Sequence, residues 1–296
     1  MSPSINLEIA GITIKIFSKF NLGHNNKFYR SFYKEGDSGR SDIQIEADLL
    51  TSNLLNIGDM ETVFDGEQGW SMYKKNDEFF IFLNAPSFKD PLWLTRLNED
   101  FSKGSVYYSK VLVTKKEGTS TIFNPASYPL DQILIMHKLS RGTGLLVHAA
   151  GIDINGKGLV FPGKSGAGKS TLSRQLIQKY GFKLFSDDRM IIRRVDRNYF
   201  TYGTPWPGEL GVAQNKGTPL DAVLFINHGT TNRIDRIKPN DALKNIFPMA
   251  SIPWYNKELI AQTVSFLEEF FKNIPAYNLY FKPHKQIADD LENFLK

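Results

Sequence analysis

Eight residues, Gly163 to Ser170, constrain this chain more than any other feature. They read Gly163-Lys164-Ser165-Gly166-Ala167-Gly168-Lys169-Ser170, the spacing Gly-x4-Gly-Lys-Ser. Glycines so placed let the backbone curl tightly, turning successive N–H groups inward to form an anion nest. Lys169 reaches the outer phosphates of a nucleoside triphosphate, and the Ser170 hydroxyl is a hard oxygen ligand suited to Mg²⁺. The flanks obey the same logic. Gly158 to Phe161 predicts a short buried strand, and Thr171 to Lys179 predicts a helix whose N-terminal partial charge favours phosphate. The stretch from Gly163 through Thr171 is therefore expected to hold ATP.

With 296 residues the chain has room for two domains. A hydrophobic fraction of 41% and a charged fraction of 23% are those of an ordinary globular protein. No cysteine is present, which excludes disulfides, thiolate zinc sites and cysteine nucleophiles and suits a reducing compartment. The first residues lack a basic segment followed by an apolar run, and no apolar stretch nears the ~20 residues that span a bilayer. A cytoplasmic location is expected. The net charge of +5 is modest. Its densest cluster, Arg189 to Arg197, reads as alternating charge on an exposed strand, so nucleic acid is not the expected partner.

The first 126 residues predict a smaller β-rich domain. Ile12, Ile14 and Ile16 alternate with Thr13 and Lys15, and Ile43 and Ile45 flank Gln44, as half-buried strands require. Phe79 to Leu83 is continuously apolar and predicts a strand buried on both faces. Val106 to Thr114 predicts one strand and Thr119 to Phe123 its partner beyond the Lys-Glu-Gly turn. Tyr33 to Ser41 and Asn84 to Pro91 read as loops.

Residues 127–296 predict the nucleotide-binding domain. Pro129 to Leu139 should be helical, and Leu145 to Ala149 a strand leading through Ile152-Asp-Ile154 to an Asn155-Gly156 hairpin turn. Ala222 to Ile226 and Tyr277 to Phe281 read as strands, Asn256 to Asn273 and Gln286 to Leu295 as helices.

Two adjacent carboxylates, Asp187 and Asp188, close the predicted strand Phe182 to Phe185. Facing a phosphate loop, one can hold Mg²⁺ and the other can accept a hydroxyl proton during phosphoryl transfer. The plain alternative is a solvated turn with Asp188 paired to Arg189. His148 falls on the neighbouring hairpin strand, where imidazole can donate to phosphate or tune a carboxylate. Glu209 sits in a rigid Thr204-Pro-Trp206-Pro-Gly-Glu loop that either packs on the core or roofs the phosphates. Arg233 and Arg236 are further candidates to supply positive charge.

His148-Ala-Ala-Gly-Ile, Gly163 to Ser170 and Ser186-Asp187-Asp188-Arg189, in that order, resemble the catalytic domain of HPr kinase/phosphorylase. That family lies within the phosphoenolpyruvate-carboxykinase-like P-loop proteins. The resemblance covers about Leu145 to Arg194 closely. It implies an α/β fold, a mixed sheet with flanking helices, with Asp187 as general base and His148 and Lys169 as further catalytic residues. It also implies Ser170 as a metal ligand, with Glu209 at the place of the family's acidic ligand. Asp188 completes the expected metal set. Trp206-Pro-Gly-Glu209-Leu-Gly211 replaces the family's Glu-x-Arg-Gly signature, which argues against HPr itself as the acceptor. The arrangement looks more like the HPr-kinase-related proteins that accompany bacterial peptide-modification gene cassettes.

The reading is a kinase that uses ATP and Mg²⁺ to phosphorylate a hydroxyl of a protein, peptide or small molecule. A homo-oligomer is in keeping with the fold by analogy alone. Two alternatives stand beside it: a nucleotide-binding regulatory or assembly protein without acceptor chemistry, and a reduced phosphoenolpyruvate carboxykinase-like enzyme.

Overall fold

A computed structural model describes residues 3–34, 39, 41–51, 54, 58–66, 69–283 and 286–296. The chain divides into two compact units, Met1–Ile135 and Met136–Lys296. Each has its own sheets, and the whole is mixed α/β.

Among the described residues, the first unit holds a nine-stranded mixed sheet and a three-stranded one. Ile12–Ser18 and Ile43–Leu49 pair in parallel at the middle of the large sheet, and Lys103–Tyr108 continues it in parallel. The alternation read from sequence is the burial observed: in Ile12–Ser18 every second side chain is buried. Two strands differ from expectation. In Glu78–Leu83 burial does reach both faces, Phe79 and Ile81 on one and Phe82 on the other, but Phe80 and Leu83 are only half-buried. Val106 to Thr114 is not one strand. It breaks after Tyr108 into a 3-10 turn, Lys110–Leu112, before Val113–Lys116 pairs with Thr119–Phe123 in the small sheet. Of the loop expected at Tyr33 to Ser41, Tyr33–Lys34 pairs instead with Ser4–Ile9, while residues 35–38 and 40 lie outside the described residues.

The second unit is organised by two long strands, Gly144–Ile154 and Gly217–His228. The first half of Gly144–Ile154 pairs with Arg189–Val195; its second half pairs with Lys157–Pro162 and Phe182–Ser186. Gly217–His228 divides in the same way, pairing first with Asn198–Tyr202, then with Lys157–Pro162 and Ala276–Phe281. The halves therefore belong to two joined sheets. Sequence expected a strand Leu145 to Ala149 leading through Ile152-Asp-Ile154 to the hairpin turn. The strand runs unbroken from Gly144 to Ile154. Gly151 leaves room for the Met190 side chain, which would lie 2.2 Å from an added Cβ.

The Asn155-Gly156 turn forms as expected, with φ of 53° and 89°. Asp153 Oδ1 accepts the Gly156 N–H at 2.6 Å and pins it. The expected exposed strand from Arg189 is another departure. Met190, Ile191 and Ile192 are buried, while the arginines and Val195 are partly exposed. One core packs Val147, Met190, Ile192 and Val223 with Phe266, Leu267 and Phe270 of the helix Lys257–Asn273. Asn256 caps that helix by accepting from Leu259 N at 3.1 Å, a contact worth about 1 kcal/mol. A second core packs Leu172 and Leu176 of the helix Lys169–Leu176 against Phe161, Ile287 and Leu291. That core fixes the first turn of the loop helix above the sheet.

Candidate functional site

The strand Lys157–Pro162 ends in the sheet, and the chain then turns over Gly163–Gly168 into the helix Lys169–Leu176. Gly166 and Gly168 take φ of 79° and 98°, values that L side chains rarely adopt. A Cβ at Gly166 would meet nothing within 4 Å, so this part of the loop faces open space. Gly163 N donates to His148 O at 3.3 Å, tying the loop's start to the neighbouring long strand. Lys169 is 6% exposed, and its ammonium donates to Gly163 O at 2.7 Å and Lys164 O at 3.0 Å. Burial lowers its pKa below the ordinary lysine value. The Asp188, Asp187 and Glu209 charges oppose that shift, whereas Arg189 adds to it.

A cleft of about 350 Å³ opens at the loop. Its walls are Ser165, Gly166, Gly168, Lys169, Ser170 and Thr171 on one side and His148, Asp187, Asp188, Gly208 and Glu209 on the other. Every side chain that the sequence singled out for catalysis or metal binding is therefore in one cavity. Gly163, Lys164 and Ala167 do not line it. Gly163 and Lys164 act from behind, through the carbonyls that receive Lys169. Arg233 and Arg236 are not in the cavity: Arg233 is bound to Asp235 at 2.8 Å and stacks over Tyr280.

The two acids have different surroundings. Asp187 is 2% exposed, and its two oxygens accept the backbone N–H groups of Gly208 and Leu210, each at 3.0 Å. It thus anchors the loop that follows the strand Asn198–Tyr202. That loop is held at further points: Thr204 Oγ donates to Arg189 O at 2.7 Å, and Gln214 N donates to Phe185 O at 3.2 Å. Trp206 is buried, so the aromatic belongs to the loop's packing. Asp188 is half-buried and lies 3.0 Å from His148 Nε2. Burial alone would raise its pKa. The His148 hydrogen bond and the Arg189 charge outweigh that, with His148 and Lys169 charges adding, and leave the carboxyl below its ordinary value. The expected Asp188–Arg189 pairing is present only as a 3.6 Å ion pair, too long for a hydrogen bond, beside the closer His148 contact.

Several contacts had no sequence signal. The Gly208 and Leu210 amides reach Asp187 from more than twenty residues away, and Arg174 on the loop helix meets Glu209 at 3.1 Å. A Pro-Gly pair next to an acid hints at a constrained loop, but nothing in it names the partner. Glu209 is 71% exposed at its side chain and is met there by Arg174.

The donor set suits a triphosphate and a hard divalent cation: an open glycine loop, a buried lysine, a serine hydroxyl and carboxylates in one cavity. Among the described residues, no three His, Asp or Glu side chains gather as a metal site by themselves. A cation here would rest on Ser170, phosphate oxygens and one or two of the acids. No helix among the described residues is long and apolar enough to cross a membrane.

Residues 130–296 match the family model described as SynChlorMet cassette protein ScmC. Curated relatives carry the name HPr kinase/phosphorylase. One from Mycoplasmopsis pulmonis (strain UAB CTIP) is 33% identical over 156 residues, 52% of this chain and 47% of that protein. One from Peptoclostridium acidaminophilum is 30% identical over 114 residues, 37% of this chain and 34% of the relative. A third, from Chlorobium luteolum (strain DSM 273 / BCRC 81028 / 2530), is 28% identical over 152 residues, 49% and 42% of the two chains. The matched stretch spans a third to about half the length of these relatives. The resemblance to HPr kinase/phosphorylase read from the motifs holds.

Proposed function

The chain belongs to the family described as SynChlorMet cassette protein ScmC, and we propose that it is a kinase moving the γ-phosphoryl group of ATP to a hydroxyl. The acceptor is a protein, peptide or small molecule, and the second unit is a phosphoenolpyruvate-carboxykinase-like P-loop domain. One observation carries the reading: the phosphate loop, the Asp187–Asp188 pair and His148 line the same cleft. The names of the relatives support it, since they are kinases by description.

In this reading the loop amides and Lys169 bind the phosphate chain and orient its outer end toward the acids. Mg²⁺, when bound through Ser170 with Asp188 or Glu209, neutralises phosphate charge. Asp187 takes the acceptor's proton. The Gly208 and Leu210 amides hold its carboxylate in one orientation, and each oxygen keeps a further lone pair for the proton. His148 orients Asp188 through their 3.0 Å contact. The packed loop carrying Trp206 forms one wall and limits water at the reacting centre. The Trp206-Pro-Gly-Glu209 replacement points away from HPr as the acceptor.

Transfer of γ-labelled phosphate into fractionated cell extract tests the proposal. A labelled species that needs both this protein and Mg²⁺ supports it. Tight ATP binding with slow hydrolysis and no labelled product would instead favour a regulatory or assembly role.

A further inference from the structure

We infer that Arg189 is a phosphate-contacting residue, placed to bind the terminal phosphoryl group of a triphosphate held in the cleft. The inference rests on the kinase reading of that cleft and adds a residue to it. Arg189 opens the strand Arg189–Val195 immediately after the acid pair, directly opposite His148 in the antiparallel register. Paired residues in such a register put their side chains on the same face, so Arg189 and His148 leave the sheet together. Its backbone is fixed at both ends of the residue: N donates to Ser186 Oγ at 3.4 Å, and O accepts from Thr204 Oγ at 2.7 Å.

The side chain is where the structure is incomplete. Arg189 Nε and Nη1 are both buried and have no hydrogen-bond partner. The nearest acid oxygen, Asp188 Oδ1, is 3.6 Å from Nη1 and already holds His148. Buried guanidinium donors left unmade are costly, and a ligand anion is the economical way to satisfy them. The site chemistry agrees. Arg189 stands across the ladder from His148, which lines the cleft together with Lys169. A dianionic terminal phosphoryl group there would satisfy the unmade guanidinium donors. A planar guanidinium presents parallel N–H groups that match two phosphate oxygens, which an ammonium does not. The other arginine beside the cleft, Arg174, is held by Glu209.

The discriminating property is the third phosphate. Full-length protein is titrated calorimetrically with Mg²⁺ and either ADP or the β,γ-methylene analogue of ATP. The wild type is expected to prefer the triphosphate. Arg189→Gln should weaken triphosphate binding by about ten- to a hundredfold while ADP affinity stays within about twofold, and Arg189→Lys should fall between. Retained ADP binding shows that the variant is folded. Equal loss for both nucleotides, or no change for either, would overturn the inference and leave Arg189 a structural residue. Wild-type protein that binds neither nucleotide would overturn the kinase reading and this inference together. Wild-type protein that binds both but labels no acceptor would remove only the former.

Discussion

Replacing Gly208 by alanine tests whether the buried Asp187 carboxylate depends on the loop that meets it. A Cβ at Gly208 would lie 2.7 Å from Asp187 Oδ2, 2.9 Å from Cγ and 3.1 Å from Oδ1. No rotamer change relieves all three contacts, because Asp187 is 2% exposed and held at both oxygens. The loop must retreat by several tenths of an ångström, lengthening the two 3.0 Å bonds from Gly208 and Leu210. Hydrogen bonds to a charged group contribute about 1.5–3 kcal/mol each, so losing both would cost about 3–6 kcal/mol. Partial relaxation brings the expected loss to about 2–4 kcal/mol. For a unit of this size that corresponds to a fall of roughly 5–15 °C in unfolding midpoint. Calorimetric melting of the full chain measures it, with Gly69→Ala as control, since a Cβ there meets only Gly66 O at 3.8 Å. Phosphoryl transfer should fall by at least about tenfold, since misplacing a reacting group by even 1 Å can cost a hundredfold. A Gly208→Ala protein that melts within a degree of wild type and turns over normally would refute the anchoring role.

Two further predictions concern pH. The folded-state pKa of Asp188 lies below its ordinary value, so the stability it contributes is present above the usual carboxylate range and is lost as pH falls below it. Asp188→Asn should flatten the acid limb of a plot of melting temperature against pH, and an unchanged limb would contradict the pairing with His148. Burial, with a smaller push from Arg141, lowers the pKa of His137 to about 3, and its Nε2 meets the Tyr255 hydroxyl at 2.7 Å. The unfolded chain takes up that proton near pH 6.5, so stability should decline as pH drops from about 6.5 toward 3. His137→Gln, which keeps an acceptor for Tyr255, should remove most of that slope, measured by urea titration at several pH values.

What the sequence disclosed was mostly local. The phosphate loop, the Asn155-Gly156 turn and the Asn256 cap each depend on residues within a single short stretch of chain. Their chemistry is written in the order of the residues. The misses have a common physical source in distant neighbours. Val106 to Thr114 is rich in β-prone residues, and periodicity alone does not reveal that a turn at Lys110–Leu112 moves the chain from one sheet to another. Gly151 carries no sequence signal of its distant neighbour, yet its missing side chain makes room for Met190 within the strand Gly144–Ile154. The arginines from Arg189 onward suggest a solvated strand, whereas Met190, Ile191 and Ile192 between them are buried. In the cleft, residue types were legible and their partners were not. The separate positions of Asp187, against two distant amides, and Asp188, against His148, emerge only once the sheets are joined.

The most direct measurement is phosphoryl transfer by the Asp187→Ala protein, scored beside its affinity for ATP. The account predicts affinity within a few-fold of wild type and labelled acceptor reduced by about a thousandfold or more, the loss expected of a general base. Full transfer by that variant would contradict it, because the acid at the centre of the cleft would then have no part in the reaction.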